Sequence, residues 1–451
     1  MGATTLFTTS GNLGSTMGTV SAINPITNIM YTLNTTAKTV GVVNLSTGAY
    51  VTTITLAVTP VLMAVNQALN TVYVTTGINN SCIVIAGATN TITTTVSLAG
   101  AANQIAVNSS TGYAYIVGPT TSVYVLNCSN NTYATQTVYA SCYSVYGNGP
   151  YGIVVDAVSN KVYILYNNSG LTALYLCVFS GTTYSTYATV STTSSAWLSQ
   201  NVTIMPGSTY ALVSYLETTG GLVTMKTVNT GTYAVSAALT GPGLGTATST
   251  YGGCTNPVTG MTYVSTNLGL VVVNGNTGVV LNTIILPSVT IMAICTSSNT
   301  LYTYQQTTTK ITVIDGLANM IVATVTPPYT INSLVVTSTN ILGVLSLATN
   351  VVNILTFLPL STFLSGSGGL IVVSGGNKLQ SGTTVTNTSY VATITFPIPF
   401  NTVPVVSCDS TVTNSWVDVT AVSLTAFSVY SYNATGTGLA SVPFGWSAIG
   451  T

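Results

Sequence analysis

The sequence predicts an all-β protein: an eight-bladed β-propeller, with seven blades as the alternative count, followed by a C-terminal β-sandwich. Three observations support this fold class. A turn-and-strand phrase recurs as far as Leu360, each copy belongs to a group of four short β-rich runs, and a different pattern follows. Four short runs per unit, divided by Asn, Gly, Thr and Ser turns, match the blades of a propeller.

The repeated phrase begins with a turn and ends in a strand. Its copies are INPITNIMYTL (23–33), VNQALNTVYVT (65–75), VNSSTGYAYIV (107–117), VDAVSNKVYIL (155–165), MPGSTYALVSY (205–215), TNPVTGMTYVS (255–265), TSSNTLYTYQQ (296–306) and TSTNILGVLSL (337–347). They recur at roughly 40 to 50 residues, which is the period of propeller blades. The copies at 205 and 337 are degenerate, so a count of seven remains open.

The residue types of the phrase explain its geometry. Asn, Asp, Pro and Gly favour turns, and the VYV-like segment that follows has high β-propensity. Asp156 occupies the place that Asn24, Asn66, Asn108 and Asn256 hold in other copies, which predicts a turn residue. A tyrosine also recurs in register, and we expect it to pack between blades; its positions are Tyr31, Tyr73, Tyr115, Tyr163, Tyr263 and Tyr302.

The last unit of the repeat supplies only three clear runs. The N-terminal segment TTLFTT could supply the fourth. A circular array of sheets is closed when its first and last blades are joined, because this removes exposed strand edges. We therefore predict that residues 1–10 pair with the final blade of a propeller domain spanning 1–360.

Residues 18–358 resemble the YVTN family of propeller repeats. The resemblance is carried by VNQALNTVYVTT, VDAVSNKVYILY and ITVIDGLANMIVATV. It implies a propeller fold, and it does not imply one function, because propellers serve binding, scaffolding and catalysis alike.

A second domain follows a Gly/Ser linker at 361–369 and spans 370–451. Its segments TFPIPFNTVPVVS and SLTAFSVYSYNATG and the closing FGWSAIGT resemble phage tail-fibre C-terminal domains and H-type lectins, over about 366–451. The resemblance implies a small β-sandwich that forms trimers and binds sugars at exposed loops. The chain departs from that pattern because it contains no His or Arg, so the family's polar sugar contacts cannot be transferred.

Sugar binding requires an aromatic face for a pyranose ring and a carboxylate or amide for its hydroxyl groups. The C-terminal domain offers these groups. The candidate carbohydrate-binding residues are Trp416, Asp418, Tyr430, Tyr432 and Asn433. Ordinary packing in the sheet is the alternative role of these side chains.

Charge is nearly absent from the chain. Only 2% of residues are charged, against roughly 25% in typical proteins, and there is no His. Five scattered Lys cannot form a nucleic-acid site, and no apolar run is long enough for a membrane-spanning helix. The seven Cys form no CxxC pair, which predicts small buried side chains rather than a metal site. Acid–base pairs are scarce, so we expect neither an enzyme nor a cofactor.

Ten Asn-x-Ser/Thr sequons are possible N-glycosylation sites. They are Asn34, Asn44, Asn79, Asn108, Asn127, Asn130, Asn167, Asn201, Asn387 and Asn433. Their number is no greater than chance predicts from the Asn, Ser and Thr content.

These patterns favour a virion spike or tail-fibre protein that attaches to host-cell glycans or glycoproteins, as a homo-oligomer in which a trimer is favoured. Its expected location is the virion surface or the extracellular space, beside other virion or surface-layer proteins. The alternative is a surface-layer protein or adhesin of an archaeon or bacterium, which requires a precursor with a signal peptide because MGATTLFTTSGNLG contains none. A propeller lyase is the third hypothesis, and it lacks plausible acid–base pairs.

Overall fold

The protein is described by a computed structural model. The described residues are 8–10, 20–102, 104–118, 122–137, 152–167, 173–191, 198–216, 222–241, 244, 246–327, 330–338, 340–346, 351–356, 369–372, 378–385, 390–395, 403–410, 415–433, 435, 437–438 and 441–450. Every helix or strand found within these ranges is a β-strand. The all-β prediction is therefore confirmed.

Eight antiparallel sheets follow one another along the first part of the chain. Blades 1 and 2 contain β2 (Val20–Asn24), β3 (Ile29–Asn34), β4 (Thr39–Asn44), β5 (Ala49–Thr55), β6 (Met63–Asn66), β7 (Thr71–Thr75), β8 (Ser81–Ala86) and β9 (Thr91–Ser97). Blades 3 and 4 contain β10 (Gln104–Asn108), β11 (Tyr113–Val117), β12 (Ser122–Asn127), β13 (Thr132–Thr137), β14 (Gly152–Asp156), β15 (Lys161–Asn167), β16 (Leu174–Ser180) and β17 (Thr183–Ser191).

The later blades repeat this order with two exceptions: three strands are described in blade 5, and blade 8 includes the N-terminal strand. Blades 5 and 6 contain β18 (Leu198–Ile204), β19 (Tyr210–Leu216), β20 (Val223–Asn229), β21 (Thr250–Asn256), β22 (Met261–Thr266), β23 (Leu270–Asn274) and β24 (Val280–Ile284). Blades 7 and 8 contain β25 (Val289–Cys295), β26 (Thr300–Gln305), β27 (Lys310–Asp315), β28 (Met320–Val325), β29 (Ser333–Val336), β30 (Ile341–Ser346), β31 (Val351–Thr356) and the N-terminal β1 (Thr8–Ser10).

The first strands of the blades form a closed ring. Each of these strands contacts the first strand of the next blade, and β29 of blade 8 contacts β2 of blade 1. The hydroxyl groups of Ser21 and Ser333 form a hydrogen bond across this closure. The ring contains eight blades, so the count of eight is confirmed and the alternative of seven is wrong.

Blade 8 takes its outer strand from the N-terminus. Its strand order is β1, β31, β30, β29. The predicted pairing of the N-terminal segment with the final blade is confirmed for Thr8–Ser10, while residues 1–7 lie outside the described residues. This arrangement covers the edge of β31, which would otherwise expose unpaired backbone groups.

The core lies between neighbouring blades. Middle strands such as β7 and β11 are buried along almost their whole length, whereas outer strands such as β5 and β9 are largely exposed. Because each blade is covered on both faces, its middle strands are continuous runs of Val, Ile and Tyr rather than alternating sequences. One cluster, for example, joins Tyr31 and Val42 of blade 1 to Val72 and Ile85 of blade 2.

Two further sheets form the C-terminal sandwich. One has the order β32, β33, β38, β35 and the other β34, β37, β36. Their strands are β32 (Gly369–Val372), β33 (Lys378–Val385), β34 (Val391–Thr395), β35 (Val405–Ser410), β36 (Ser415–Val422), β37 (Ala426–Asn433) and β38 (Pro443–Gly450). Phe427 and Val429 of one sheet pack in a cluster with Val406 and Cys408 of the other, which confirms the β-sandwich.

The contacts of the chain separate two compact units. One consists of residues 10–339 and 343–352, and the other of 1–9, 340–342 and 353–451. Of the predicted linker at 361–369, residues 361–368 lie outside the described residues and Gly369 begins β32. In the described part of the chain, no helix has the length and apolarity needed to cross a bilayer.

Candidate functional site

Three of the repeated Asn residues, Asn24, Asn108 and Asn256, join their blade to the next. Asn24 is fully buried, and its Oδ1 accepts a hydrogen bond from the Ile26 N–H at 3.0 Å. Its Nδ2 donates to Oδ1 of Asn70 in blade 2 at 2.7 Å. Asn108 donates in the same way to Asn160 at 3.0 Å. The predicted turn role of these positions is confirmed, and each side chain also links two blades.

Asp156 occupies the same position of the repeat as these Asn residues, but it has a different partner in the next blade. It is fully buried, and its Oδ1 accepts hydrogen bonds from the N–H groups of Val158 at 3.0 Å and Ser159 at 3.3 Å. Across the blade boundary, Oδ1 also accepts from the Gly207 N–H at 3.0 Å. Blade 5 presents a backbone donor there instead of an asparagine side chain, which explains why an acceptor-only carboxylate replaces asparagine. Asp156 is thus held in a structural turn.

The tyrosines of the repeat are also structural. Tyr31, Tyr73, Tyr115 and Tyr163 are all fully buried. The Tyr115 hydroxyl donates to the carbonyl of Gly181 in the next blade at 2.6 Å. Burial raises the pKa of Tyr31 to about 12, because the phenolate form would be desolvated. Their predicted packing between blades is confirmed.

A cluster on the C-terminal sandwich contains most of the predicted sugar-binding residues. Tyr430 and Tyr432 lie on β37, where they alternate with the buried Val429 and Ser431. Their rings are nearly parallel, at 22°, with centroids 6.4 Å apart. The Tyr432 hydroxyl donates to Oδ2 of the exposed Asp418 at 2.7 Å. The sheet register therefore brings both tyrosines and the carboxylate to one surface.

The structure adds Tyr390, for which the sequence alone gives no indication of a site role. Its ring meets Tyr430 edge to face, at 80° with centroids 6.2 Å apart, and its side chain is 39% exposed. The Tyr390 carbonyl accepts a hydrogen bond from the Ser431 N–H at 2.9 Å. We call the surface formed by Tyr390, Tyr430, Tyr432 and Asp418 the tyrosine face.

Gly438 borders the tyrosine face. It forms a bridge with Tyr432, and a Cβ at this position would lie 2.4 Å from Cδ2 of Tyr390 and 2.6 Å from the Tyr430 hydroxyl oxygen. Real Cβ contacts are never this short, so only glycine fits against these two rings. The surface is therefore closely packed at its border.

Hydrogen bonding and charge determine the chemistry of the tyrosine face. The hydrogen bond to Asp418, together with partial desolvation and the negative charge of that carboxylate, raises the pKa of Tyr432 above its usual value. The phenol therefore stays protonated as a donor, and the carboxylate of Asp418 lies beside an aromatic ring. Such a surface can stack on a sugar ring and accept its hydroxyl hydrogens.

The two remaining predicted site residues, Asn433 and Trp416, are not among the side chains that define the tyrosine face. The Oδ1 of Asn433 accepts hydrogen bonds from the backbone N–H groups of Thr435 and Thr437, both at 3.0 Å. This oxygen therefore stabilises the turn after β37. Trp416 pairs with Tyr432 in the strand register, while its side chain lies outside the described residues.

Burial corrects two of the predicted glycosylation sites. Asn108 is fully buried with its Nδ2 bonded to Asn160, and Asn34 is 3% exposed. A glycan cannot be accommodated at either position in the folded chain, so these two predictions are wrong. Asn79 and Asn130 are exposed. The residue Asn387 and the side chain of Asn167 lie outside the described residues.

The propeller contains a small pocket between blades 5 and 6. Its cavity volume is about 10 Å³, and Thr203, Met205, Tyr210 and Asn274 are among its lining residues. Ligand pockets are commonly 300–1,000 Å³, so this one is small. Its lining contains no carboxylate or amine. Among the described cysteines, Cys82, Cys128, Cys177 and Cys295 are buried. Within the described residues no cluster suited to a metal ion is found.

Comparisons with known proteins support the fold. No family model and no curated protein matches the chain. Among solved structures, the Dos1 propeller is similar with a TM-score of 0.59 and 12% identity, covering 78% of this chain and 95% of that one. Hydrazine synthase of Kuenenia stuttgartiensis is similar with a TM-score of 0.52 and 11% identity, covering 78% and 97%. At these identities the likeness shows the propeller fold alone.

Proposed function

We propose that the chain is a non-enzymatic attachment protein, a virion spike or tail-fibre protein that binds host-cell glycans through the tyrosine face. The observation that carries this proposal is the arrangement of Tyr390, Tyr430 and Tyr432 around the exposed carboxylate of Asp418. Aromatic rings beside a hydrogen-bond acceptor are the groups that sugar recognition requires.

The charged groups of the propeller support a role as a display platform rather than as an enzyme. Asp156 is bonded within a turn, and Lys226 donates to the Val190 carbonyl at 2.9 Å. Asp315 accepts the Leu317 N–H at 2.8 Å in an exposed turn. Acid–base catalysis needs two titratable groups in one pocket, and these residues hold separate structural positions.

Oligomerisation, with a trimer favoured, is part of the proposal. A single exposed sugar site binds weakly, because few groups contact the ligand. Linking several sites raises the overall affinity by about 10²–10⁴ when they engage together. The proposed location is therefore a virion surface or another extracellular surface, where several copies face one cell.

The test uses the full chain. We would measure its mass in solution and its binding to host cells and to a glycan array, for the native chain and for Tyr432→Ala and Tyr390→Ala. Tyr251→Ala is the matched control, because Tyr251 lies in the propeller and is 43% exposed, close to the 39% of Tyr390.

We expect the two sandwich variants to lose at least tenfold in binding while Tyr251→Ala keeps the native level. If Tyr432→Ala and Tyr390→Ala also bind at the native level, recognition lies elsewhere on the chain. Unchanged circular dichroism spectra would show that each variant is folded.

A further inference from the structure

We propose that the tyrosine face selects glycans that carry a positively charged ammonium group, such as sugars with a free amine. This inference rests on the proposed function and names the ligand class of the same site. It depends on three properties of the surface: an uncompensated carboxylate, adjacent aromatic rings and a rigid arrangement.

The carboxylate of Asp418 has a neutral partner. Its Oδ2 accepts the Tyr432 hydroxyl hydrogen at 2.7 Å, which leaves the negative charge in place. Within the described residues, no ion pair to Asp418 is found. The chain has only five Lys and no Arg, and the one lysine of the sandwich, Lys378, begins β33 in the other sheet. A cationic ligand is therefore the natural counter-charge at this surface.

The rings add to the same preference. A cation within about 6 Å of an aromatic centroid is attracted by the negative face of the ring. Tyr430 lies 6.4 Å from Tyr432 and 6.2 Å from Tyr390, measured between centroids. A group that approaches Asp418 beside Tyr432 therefore meets aromatic surface as well as negative charge. Anionic sugars would be repelled by both.

The surface is held in place before any ligand binds. Gly438 packs so closely against Tyr390 and Tyr430 that a Cβ there would lie 2.4 Å and 2.6 Å from them. Tyr390 has a φ of +69°, a conformation that is unfavourable for tyrosine, and its carbonyl is bonded to the Ser431 N–H. Strained backbone is often found at ligand sites, and a preorganised surface loses little entropy on binding.

The experiment compares two ligands that differ only at nitrogen. The full chain is titrated with glucosamine oligomers carrying free amines and with N-acetylglucosamine oligomers of the same length, at low and at high salt. We expect about tenfold tighter binding of the free amine at low salt, from charge attraction and cation–π contact together. Salt should reduce this preference, because the site is exposed.

Asp418→Asn is the decisive variant. It keeps the size and exposure of the side chain, so we expect it to remain folded, to lose the preference for the free amine and to keep weak binding of the acetylated sugar. Tetramethylammonium chloride serves as a competitor without a sugar. Inhibition by it would identify the ammonium group, rather than the ring hydroxyls, as the recognised chemistry.

The outcomes separate the two proposals. Equal affinity for both oligomers, or a preference that persists in Asp418→Asn, would overturn the ammonium proposal while leaving glycan attachment intact. Binding of neither these oligomers nor host cells would overturn both.

Discussion

Replacement of Asp156 by alanine should destabilise the boundary between blades 4 and 5. The carboxylate is fully buried and accepts hydrogen bonds from the backbone N–H groups of Val158, Ser159 and Gly207. Alanine would leave these three donors without that acceptor. Hydrogen bonds to charged groups contribute about 1.5–3 kcal/mol each, and water entering the space would restore part of this. We expect a loss of about 4 kcal/mol in the free energy of unfolding.

Two further variants make this prediction specific. Asp156→Asn keeps an acceptor and is the residue that other blades use, so we expect a loss of only about 1 kcal/mol. Asp315→Ala removes an aspartate of the same local type, whose Oδ1 accepts from Leu317 and Ala318 without reaching another blade. Because these bonds are exposed, we again expect about 1 kcal/mol.

The assay is equilibrium unfolding in urea. The slope m, which is the change in the free energy of unfolding per molar urea, is compared among variants. A fall in the midpoint at constant m reports lost stability of the native state. If Asp156→Ala and Asp315→Ala lose the same stability, the bond across the blade boundary contributes nothing and our account of Asp156 is incorrect.

Three other predictions concern the propeller. Deletion of residues 1–10 should remove β1 from blade 8 and lower stability by on the order of 2 kcal/mol, seen as a lower melting temperature; an unchanged value would contradict closure by this strand. The pKa values of Tyr31 and Tyr115 are raised to about 12 by burial, so the folded state holds these protons more tightly than the unfolded state. Stability should thus be complete below about pH 10 and fall between about pH 10 and 12. Part of the phenolate absorbance at 295 nm, that of the buried tyrosines, should appear only on unfolding; development of the full absorbance while the chain is still folded would refute this. In a glycosylating host, mass spectrometry of the folded chain should find Asn108 unmodified, and any glycan should instead be found at exposed sequons such as Asn79.

Much of the fold could be predicted because its determinants are local. The turn residues and the VYV-like strands recur in each copy, so position in the repeat identifies Asp156 as a turn residue and Tyr73 as a packing residue. The N-terminal strand followed from a missing run in the last unit. Each of these inferences needs only a short window of sequence and the rule that sheet edges must be covered.

The site was predicted less completely because it depends on register between distant strands. Tyr432 and Asp418 were recognised by the chemistry of their side chains alone. Both fall within β-rich runs, and such a run does not indicate which side chains of different strands meet. Tyr390 was missed because it lies before β34, and only the pairing of β34 with β37 brings it to Tyr430. Gly438 gives no local signal either, because its importance arises from two rings that pack against it. The burial of Asn108 was hidden for the same reason: its partner Asn160 belongs to the next blade.

The scarcity of charge determines how such a protein could find its receptor. With five basic and five acidic residues among 451, the chain has no net charge and no basic or acidic region to direct a partner over long distances. Association would then occur at ordinary diffusive rates, and affinity would depend on contacts made after encounter and on the number of linked sites. Salt should consequently have little effect on attachment to neutral glycans. It should matter only where a ligand places its own charge beside Asp418, so the salt dependence of binding reports directly on the chemistry of the recognised group.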